Sequence, residues 1–328
     1  MIRALYRMQD GAIRADLSPA EFSAALHDKD GLLWVDFAAE PPDVCEPILR
    51  ETFGFHPLAV DDALEESHVP KVDDWGAYLY LVLHAVVFDP QGDEMVNTLE
   101  LDLFVGHNYL VTHQTQPIPS VDRVWTTCQR DERHLQKGPE HLLYRLADEL
   151  ATGYMPVVEE IDAAIDRIED QIFDDPAPSV LERTFKLKRA LLHLRRIIAP
   201  QREVLNKLAR GDYGVIAARD RIFFRDVYDH FVRLHDIVES LRDLVSGALD
   251  TYVSVVSNRM NEVMKTLTII TTLFMPLSFV VGFFGMNFFQ AVVPLDAWTG
   301  KMAFALTLAG MVGTPVGMYL WMRRRAWL

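Results

Sequence analysis

The sequence predicts an α/β domain, a long all-α stalk and two transmembrane helices. Three observations carry this expectation. Strand-like and helix-like runs alternate over roughly the first 125 residues. A heptad seam then runs without proline from about residue 219. The chain closes on two long stretches, 266–295 and 302–322, that hold no charged residue. With 328 residues and 50% hydrophobic side chains, a real core is expected and bulk disorder is excluded. The formal charge of −15 argues against a nucleic-acid partner.

In the first part, GLLWVDFA (31–38), YLYLVLHAVVFD (78–89), LELDLFV (99–105) and YLVTHQ (109–114) are apolar, β-branched and aromatic runs that read as strands. Gly106-His107-Asn108 between the last two is a hairpin signal. SPAEFSAALHD (18–28) and PDVCEPILRETFG (42–54) read as helices. The strand order stays open. Asp61 and Asp62 follow a run that reads as strand-like.

Helical periodicity takes over near residue 140. One helix is expected over 141–174, ended by Asp175-Pro176-Ala177-Pro178, and a second over 179–198, ending before Pro200. The end of the first is acidic (Glu159, Glu160, Asp162, Asp166, Glu169, Asp170) and the second is basic (Lys186, Lys188, Arg189, Arg195, Arg196). A short turn makes them antiparallel, so opposite charges can meet or remain two solvated faces.

Val227, Phe231, Leu234, Val238, Leu241, Val245, Ala248, Tyr252 and Val255 alternate spacings of 4 and 3, the pattern of an a/d seam. The helix should run on into the first membrane span, a length on the order of 100 Å at 1.5 Å per residue. A seam that long is expected to seek partners in a self-associating bundle, with an intrachain core helix as the rival reading.

Residues 266–286 and 302–322 each meet the roughly 20 apolar residues a bilayer requires. The rival reading is a pair of buried soluble helices. The short loop between them forces a hairpin with both ends on one side of the membrane. Arg323, Arg324 and Arg325 after the second span, and Lys265 before the first, place that side in the cytoplasm of an inner-membrane protein. Two cysteines, Cys45 and Cys128, and no apolar leader in MIRALYRMQDGAIRAD, agree with a cytoplasmic domain. Residues 265–328 hold five basic residues against Asp296 alone, a formal +4, which leaves −19 on residues 1–264. The domains expected are 1–135 (α/β), 136–218 (helical hairpin), 219–264 (stalk) and 265–328 (membrane).

The chain carries no GxxxxGK[ST], HExxH or CxxC pattern and no evident nucleophile with a base. An enzyme or ATP-driven pump is not expected. Phe284-Gly285-Met286-Asn287 ends the first span, a short loop and one further span follow, and the chain finishes RRRAWL. With GFHPLAVDDALEESHVPKVDDW (54–75), FFRDVYDH (223–230) and VSNRMNEVMKTLTIITTLFMPLSF (256–279), this resembles the CorA family of divalent-cation channels over nearly the whole chain.

The resemblance implies a funnel-shaped homopentamer in the bilayer. The first span of each copy lines a pore, and the second forms an outer ring. It implies Mg²⁺ as cargo and regulator, with Co²⁺ or Ni²⁺ also accepted, and a related ZntB-like branch moves Zn²⁺. Gly285, Met286 and Asn287 would form the selectivity filter. The family's Met-Pro-Glu-Leu loop is absent here, and Asp296 is the loop's only acid. Inward of the filter, Gly282, Ser278, Met275, Thr271, Leu267, Met264 and Asn261 recur every 3 or 4 residues on one helix face, with Asp250 lower on that face. They are candidates for the pore wall and gate, with plain helix packing as the rival role. Asp62 and Asp226 match the family's regulatory metal positions between neighbouring copies, with Asp61, Asp148 and His230 as a possible second set. Two function classes stay open: a divalent-cation channel, with Zn²⁺ transport as a narrower variant, and a membrane-anchored sensor without conduction.

Overall fold

The computed structural model describes residues 1–15, 17–65, 69–92, 94–286 and 300–325. It divides into two units, Met1–Tyr252 and Val253–Leu328.

The first unit is built on a seven-stranded sheet: β1 (Ile2–Arg7), β2 (Ile13–Ala15), β3 (Leu32–Ala38), β4 (Lys71–Asp74), β5 (Leu79–Phe88), β6 (Val96–Val105) and β7 (Tyr109–Gln114). The spatial order is β2-β1-β3-β7-β6-β5-β4, antiparallel except for β3 against β7. The β6–β7 hairpin turns at Gly106, whose N–H donates to the Tyr109 carbonyl at 3.0 Å. A Cβ there would stand 2.3 Å from the Tyr109 ring, so the turn requires glycine. Asn108 Nδ2 then ties the turn to the Leu26 and Asp28 carbonyls at 3.0 and 2.9 Å.

One face of the sheet is covered by α1 (Pro19–His27), α2 (Pro42–Pro47), a π-helical turn (Ile48–Thr52) and α3 (Pro57–Leu64). Phe22, Leu49, Ala59 and Val60 share a core with Val35, Tyr80, Phe104 and Val111 of the strands. α1 begins where Glu21 accepts from the Ser18 N–H and hydroxyl at 2.9 and 2.8 Å. α3 begins at His56, whose Nδ1 accepts from the Leu58 N–H, with Pro57 supplying its first residue. The segment holding Asp61 and Asp62 is therefore helix. The strand-like reading gave way because a cap and a proline start α3 and Ala59, Val60 and Ala63 bury one helical face.

α4 (Pro119–Arg130), α5 (Pro139–Asp174) and α6 (Pro178–Arg210) complete the first unit. Trp125 of α4 meets Trp34 at 4.7 Å between ring centroids. Beneath α4, buried Asp36 accepts from Arg3 Nε at 2.8 Å, Thr112 Oγ1 at 2.6 Å and Gln114 Nε2 at 3.0 Å. A buried carboxylate is tolerated when such donors surround it. Tyr154 of α5 donates to the His84 carbonyl at 2.8 Å, and Gln201 of α6 accepts from the His84 N–H at 2.8 Å. Both helices are thus fastened to β5. This explains why α6 passes through Pro200 instead of ending before it. The proline loses one backbone bond, but Gln201, Val204, Leu205 and Leu208 beyond it are buried.

α7 runs from Arg221 to Phe284 as one helix of 64 residues. Its seam residues Val227, Phe231, Leu234, Val238, Leu241, Val245 and Ala248 are buried within this single chain. Phe231 meets Tyr154 of α5 edge-on at 5.3 Å, and Glu239 pairs with Arg195 of α6 at 3.0 Å. The expectation that the seam seeks its cover in other copies is corrected as far as Ala248: these positions are buried within the one chain, where α5 and α6 pack on α7 at Phe231 and Glu239. Arg195 thereby pairs with α7 and not with the acidic end of α5. In the second unit, α7 continues and α8 (Lys301–Arg324) follows.

Candidate functional site

Two helices, the one from Arg221 to Phe283 and the one from Lys301 to Arg324, are long and apolar enough to cross a membrane. Within the second unit α7 is unbroken from Val253 to Phe284, so Asn261, Met264, Leu267, Thr271, Met275, Ser278 and Gly282 keep helical spacing along one stripe. All seven are exposed. Asp250, in the first unit, is exposed as well. The Thr271 hydroxyl donates to the Leu267 carbonyl at 2.9 Å, which leaves its oxygen able to accept. Gly282 has open space where a Cβ would lie. At the end of the helix the Gly285 N–H donates to the Val281 carbonyl at 2.9 Å and the Met286 N–H to Phe283 at 3.3 Å. Asn287 and the loop acid Asp296 lie outside the described residues.

The acidic candidates fall into two groups. Asp148 of α5 and Asp226 and His230 of α7 form the first. Burial raises the Asp148 carboxyl, Arg145 and His230 oppose that rise, and Asp226 adds to it. Arg145 stands 3.7 Å from Asp148. Asp226 is exposed and His230, one turn on, is half-buried. The second group is Asp61 and Asp62 on α3. Arg50 reaches Asp61 at 2.6 Å and Glu46 at 3.1 Å. Asp62 pairs with Lys71 of β4, whose ammonium also lies 3.5 Å from Asp73. Among the described residues, one chain gathers no set of three or more His, Cys, Asp or Glu side chains fit to hold a metal.

Sequence reasoning missed Arg50 and Lys71, the cations that hold Asp61 and Asp62. The alternation of Lys71 and Asp73 on a short strand was the available signal. It also missed a buried row on β5, β6 and β7. Tyr80 donates to Asp102 at 2.7 Å, His113 stands 3.4 Å from Asp102, and His84 stands 3.5 Å from Glu100. Burial pushes Asp102 up to about 6, against the pull of His113.

The profile of the family described as CorA-like Mg2+ transporter protein matches residues 29–324. The chain belongs to this family. The cobalt/magnesium transport protein CorA of Thermotoga maritima is 38% identical over 279 residues, covering 85% of this chain and 78% of that protein. YfjQ of Bacillus subtilis is 35% identical over 294 residues, 90% of this chain and 89% of the relative. The complete CorA magnesium transporter of Methanocaldococcus jannaschii superimposes with a TM-score of 0.84 at 22% identity, covering 99% of this chain and 98% of that one. The CorA fold, with its α/β domain, long helix and two candidate membrane helices, is therefore the fold of this chain. Divalent-cation transport is what this family membership supports.

Proposed function

We propose that five copies of the chain form a channel that carries Mg²⁺, with Co²⁺ and Ni²⁺ as further substrates, into the cytoplasm. The observation that carries this reading is the 38% identity to a cobalt/magnesium transport protein across 85% of the chain. The exposed Asn, Ser and Thr positions on one stripe of α7 favour conduction over a plain anchor, which needs no polar face in an apolar span.

Mg²⁺ prefers octahedral oxygen and sheds water reluctantly. α7 offers no charge between Thr266 and Phe284 with which to strip it. A ring of five Asn287 amide oxygens, set by Gly285 and Met286, would accept hydrogen bonds from the ion's own water shell. Ser278 and Thr271 would continue that water contact. Met275, Leu267 and Met264 would form apolar rings able to gate by dewetting. Gly282 widens the wall, and Asn261 and Asp250 would mark the cytoplasmic mouth. Five cytoplasmic parts carry a formal −95, a field that favours inward movement of cations. A membrane potential of 100 mV adds about 5 kcal/mol for two charges. Both termini lie in the cytoplasm on this reading, as Arg323–Arg325 favour.

Divalent ions would also regulate the channel from inside. Asp62 of one copy and Asp226 of the next supply the hard carboxylate oxygens Mg²⁺ takes, with Asp61, Asp148 and His230 nearby or at a second site. Among the described residues one chain gathers no such set, and on this reading the ion would join two copies and favour the closed, symmetric state by differential affinity.

Uptake into proteoliposomes tests the whole reading. Mg²⁺, Co²⁺ and Ni²⁺ should enter without a pH gradient. Zn²⁺ entry that requires a gradient would move the chain to the Zn²⁺ branch. No uptake of any ion by an assembled protein would return it to the sensor class.

A further inference from the structure

Asp62 is already occupied by a cation of its own chain, and the surroundings of that cation look built for exchange. Lys71 stands on β4 at the edge of the sheet, in register with Val82, and Asp73 two residues on is in register with Tyr80. Lys71, Asp73, Tyr80 and Val82 thus share one face of the pleat. The ammonium pairs with Asp62 and lies 3.5 Å from Asp73 and 5.2 Å from the centroid of the Tyr80 ring. That ring is a fixed platform. It is fully buried, and its hydroxyl is anchored on Asp102 at 2.7 Å. Burial works against the charge on Lys71, but Asp62 and Asp73 together more than offset it, so the side chain remains a cation.

The pair is only partly shielded, with side chains 30% and 46% exposed for Lys71 and Asp62. Such pairs are weak enough to break. On leaving Asp62, the ammonium keeps a carboxylate and an aromatic face within reach of a small rotation of a flexible stem. Arg50 at Asp61 has a comparable spare partner in Glu46, but no ring beneath it among the contacts of the described residues.

We infer that Lys71 is a tethered competitor for the divalent ion at Asp62: it fills the carboxylate when the ion is absent and withdraws to Asp73 and the Tyr80 ring when the ion binds. This inference rests on the proposed regulatory role of Asp62. Ion binding is then an exchange of one cation for another at a single carboxylate. The Lys71 pair sets how much free Mg²⁺ is needed, and the vacated subunit never presents a bare Asp62 to its neighbour.

The test is a Mg²⁺ titration of protease protection on the assembled full-length protein, a readout independent of transport. Lys71→Met, with Lys71→Gln as a second variant should the first fold poorly, should shift the protection midpoint about two- to fivefold lower, the range that an exposed pair spans. Lys71→Arg, which keeps the charge, should stay near wild type. Lys188→Met on α6 removes a remote charge and should also leave the midpoint in place. A midpoint unchanged or raised in both neutral Lys71 variants overturns the inference, as does an equal shift from Lys188→Met. Asp62→Ala reports on the underlying reading separately. Loss of its Mg²⁺ response upholds Asp62 as a ligand whatever Lys71 does, and a wild-type response removes the reading and the inference together.

Discussion

Two stretches of the same helix both repeat apolar side chains along their length and meet opposite surroundings. Below Tyr252, Phe231 is 1% exposed, covered by Tyr154 and its neighbours on α5. Above it, Phe279 is 72% exposed, and Leu267, Phe274 and Met275 are exposed with it. The lower stretch alternates its seam with charges such as Arg233, Asp236, Glu239 and Arg242, which suits a helix with one dry face and one wet face. The upper stretch has no charge over 266–284. An apolar surface of that extent has no stable place in water. Its solvent is lipid and, on the proposed assembly, the faces of other copies. The comparison teaches that apolar periodicity alone does not say who covers a helix. The charges between the apolar positions do.

The largest expected effect falls at the upper end. Asn287→Ala should reduce ion uptake to background while the protein still assembles, because an alanine ring offers no oxygen to a hydrated ion. Normal uptake by an assembled variant would leave Asn287 only a capping role and would weaken the claim that the upper stretch lines a pore. Next comes a direct contrast between the two stretches. Phe231→Ala should cost the first unit about 3–5 kcal/mol, as deletion of a buried phenylalanine does. Phe279→Ala should leave the unfolding of that unit unchanged. Denaturant titration followed through Trp34, Trp75 and Trp125 of the first unit measures both, and equal losses would erase the distinction.

A pH effect sharpens the picture of the lower region. Asp102 is held near 6 in the native protein by burial, above the ordinary 3.8. Between about pH 4 and 6 the native state therefore binds more protons at this group than the unfolded chain does, so its contribution to stability falls as pH rises. Relative to Asp102→Asn, wild type should lose on the order of 2–3 kcal/mol across that window. Parallel melting curves for the two proteins at every pH would refute it. The smallest effect belongs to Arg195→Ala. The Arg195–Glu239 pair is part-exposed and Glu239 keeps Arg242 at 2.7 Å, so the loss should stay below about 1 kcal/mol. A loss of several kcal/mol would mean that this one contact, and not the buried seam, holds α7 to α6.

Much of the architecture is legible in the sequence alone. The strand YLVTHQ appears at Tyr109–Gln114 as read, and the hairpin at Gly106 follows from turn chemistry that acts over a few residues. The two apolar spans were legible for the same local reason: twenty uncharged residues have few places to go. β1 and α4 were missed. β1 carries two arginines in its six residues, and Arg3 pairs with Asp36 from 33 residues away. α4 follows a short loop and declares itself mainly by burying Trp125 against Trp34. At the candidate site, the sequence could offer Asp61, Asp62, Asp148, Asp226 and His230 as types and positions. It could not show that the first two are held by Arg50 and Lys71 while the others gather on α5 and α7.

The sequence by itself determined the quantities that depend on near neighbours: the membrane spans, the hairpin turn and the sign of charge along the chain. Only the tertiary structure decided which partner each long-range group found. Pro200 sits inside a helix because residues after it are buried against a distant strand. The seam of α7 is closed by α5 and α6 because those helices are already fastened to β5 through Tyr154 and Gln201. Asp62 has a lysine for company because an edge strand places it there. Each outcome is a competition among contacts far apart in sequence, and the winner depends on what the rest of the fold has already brought within reach.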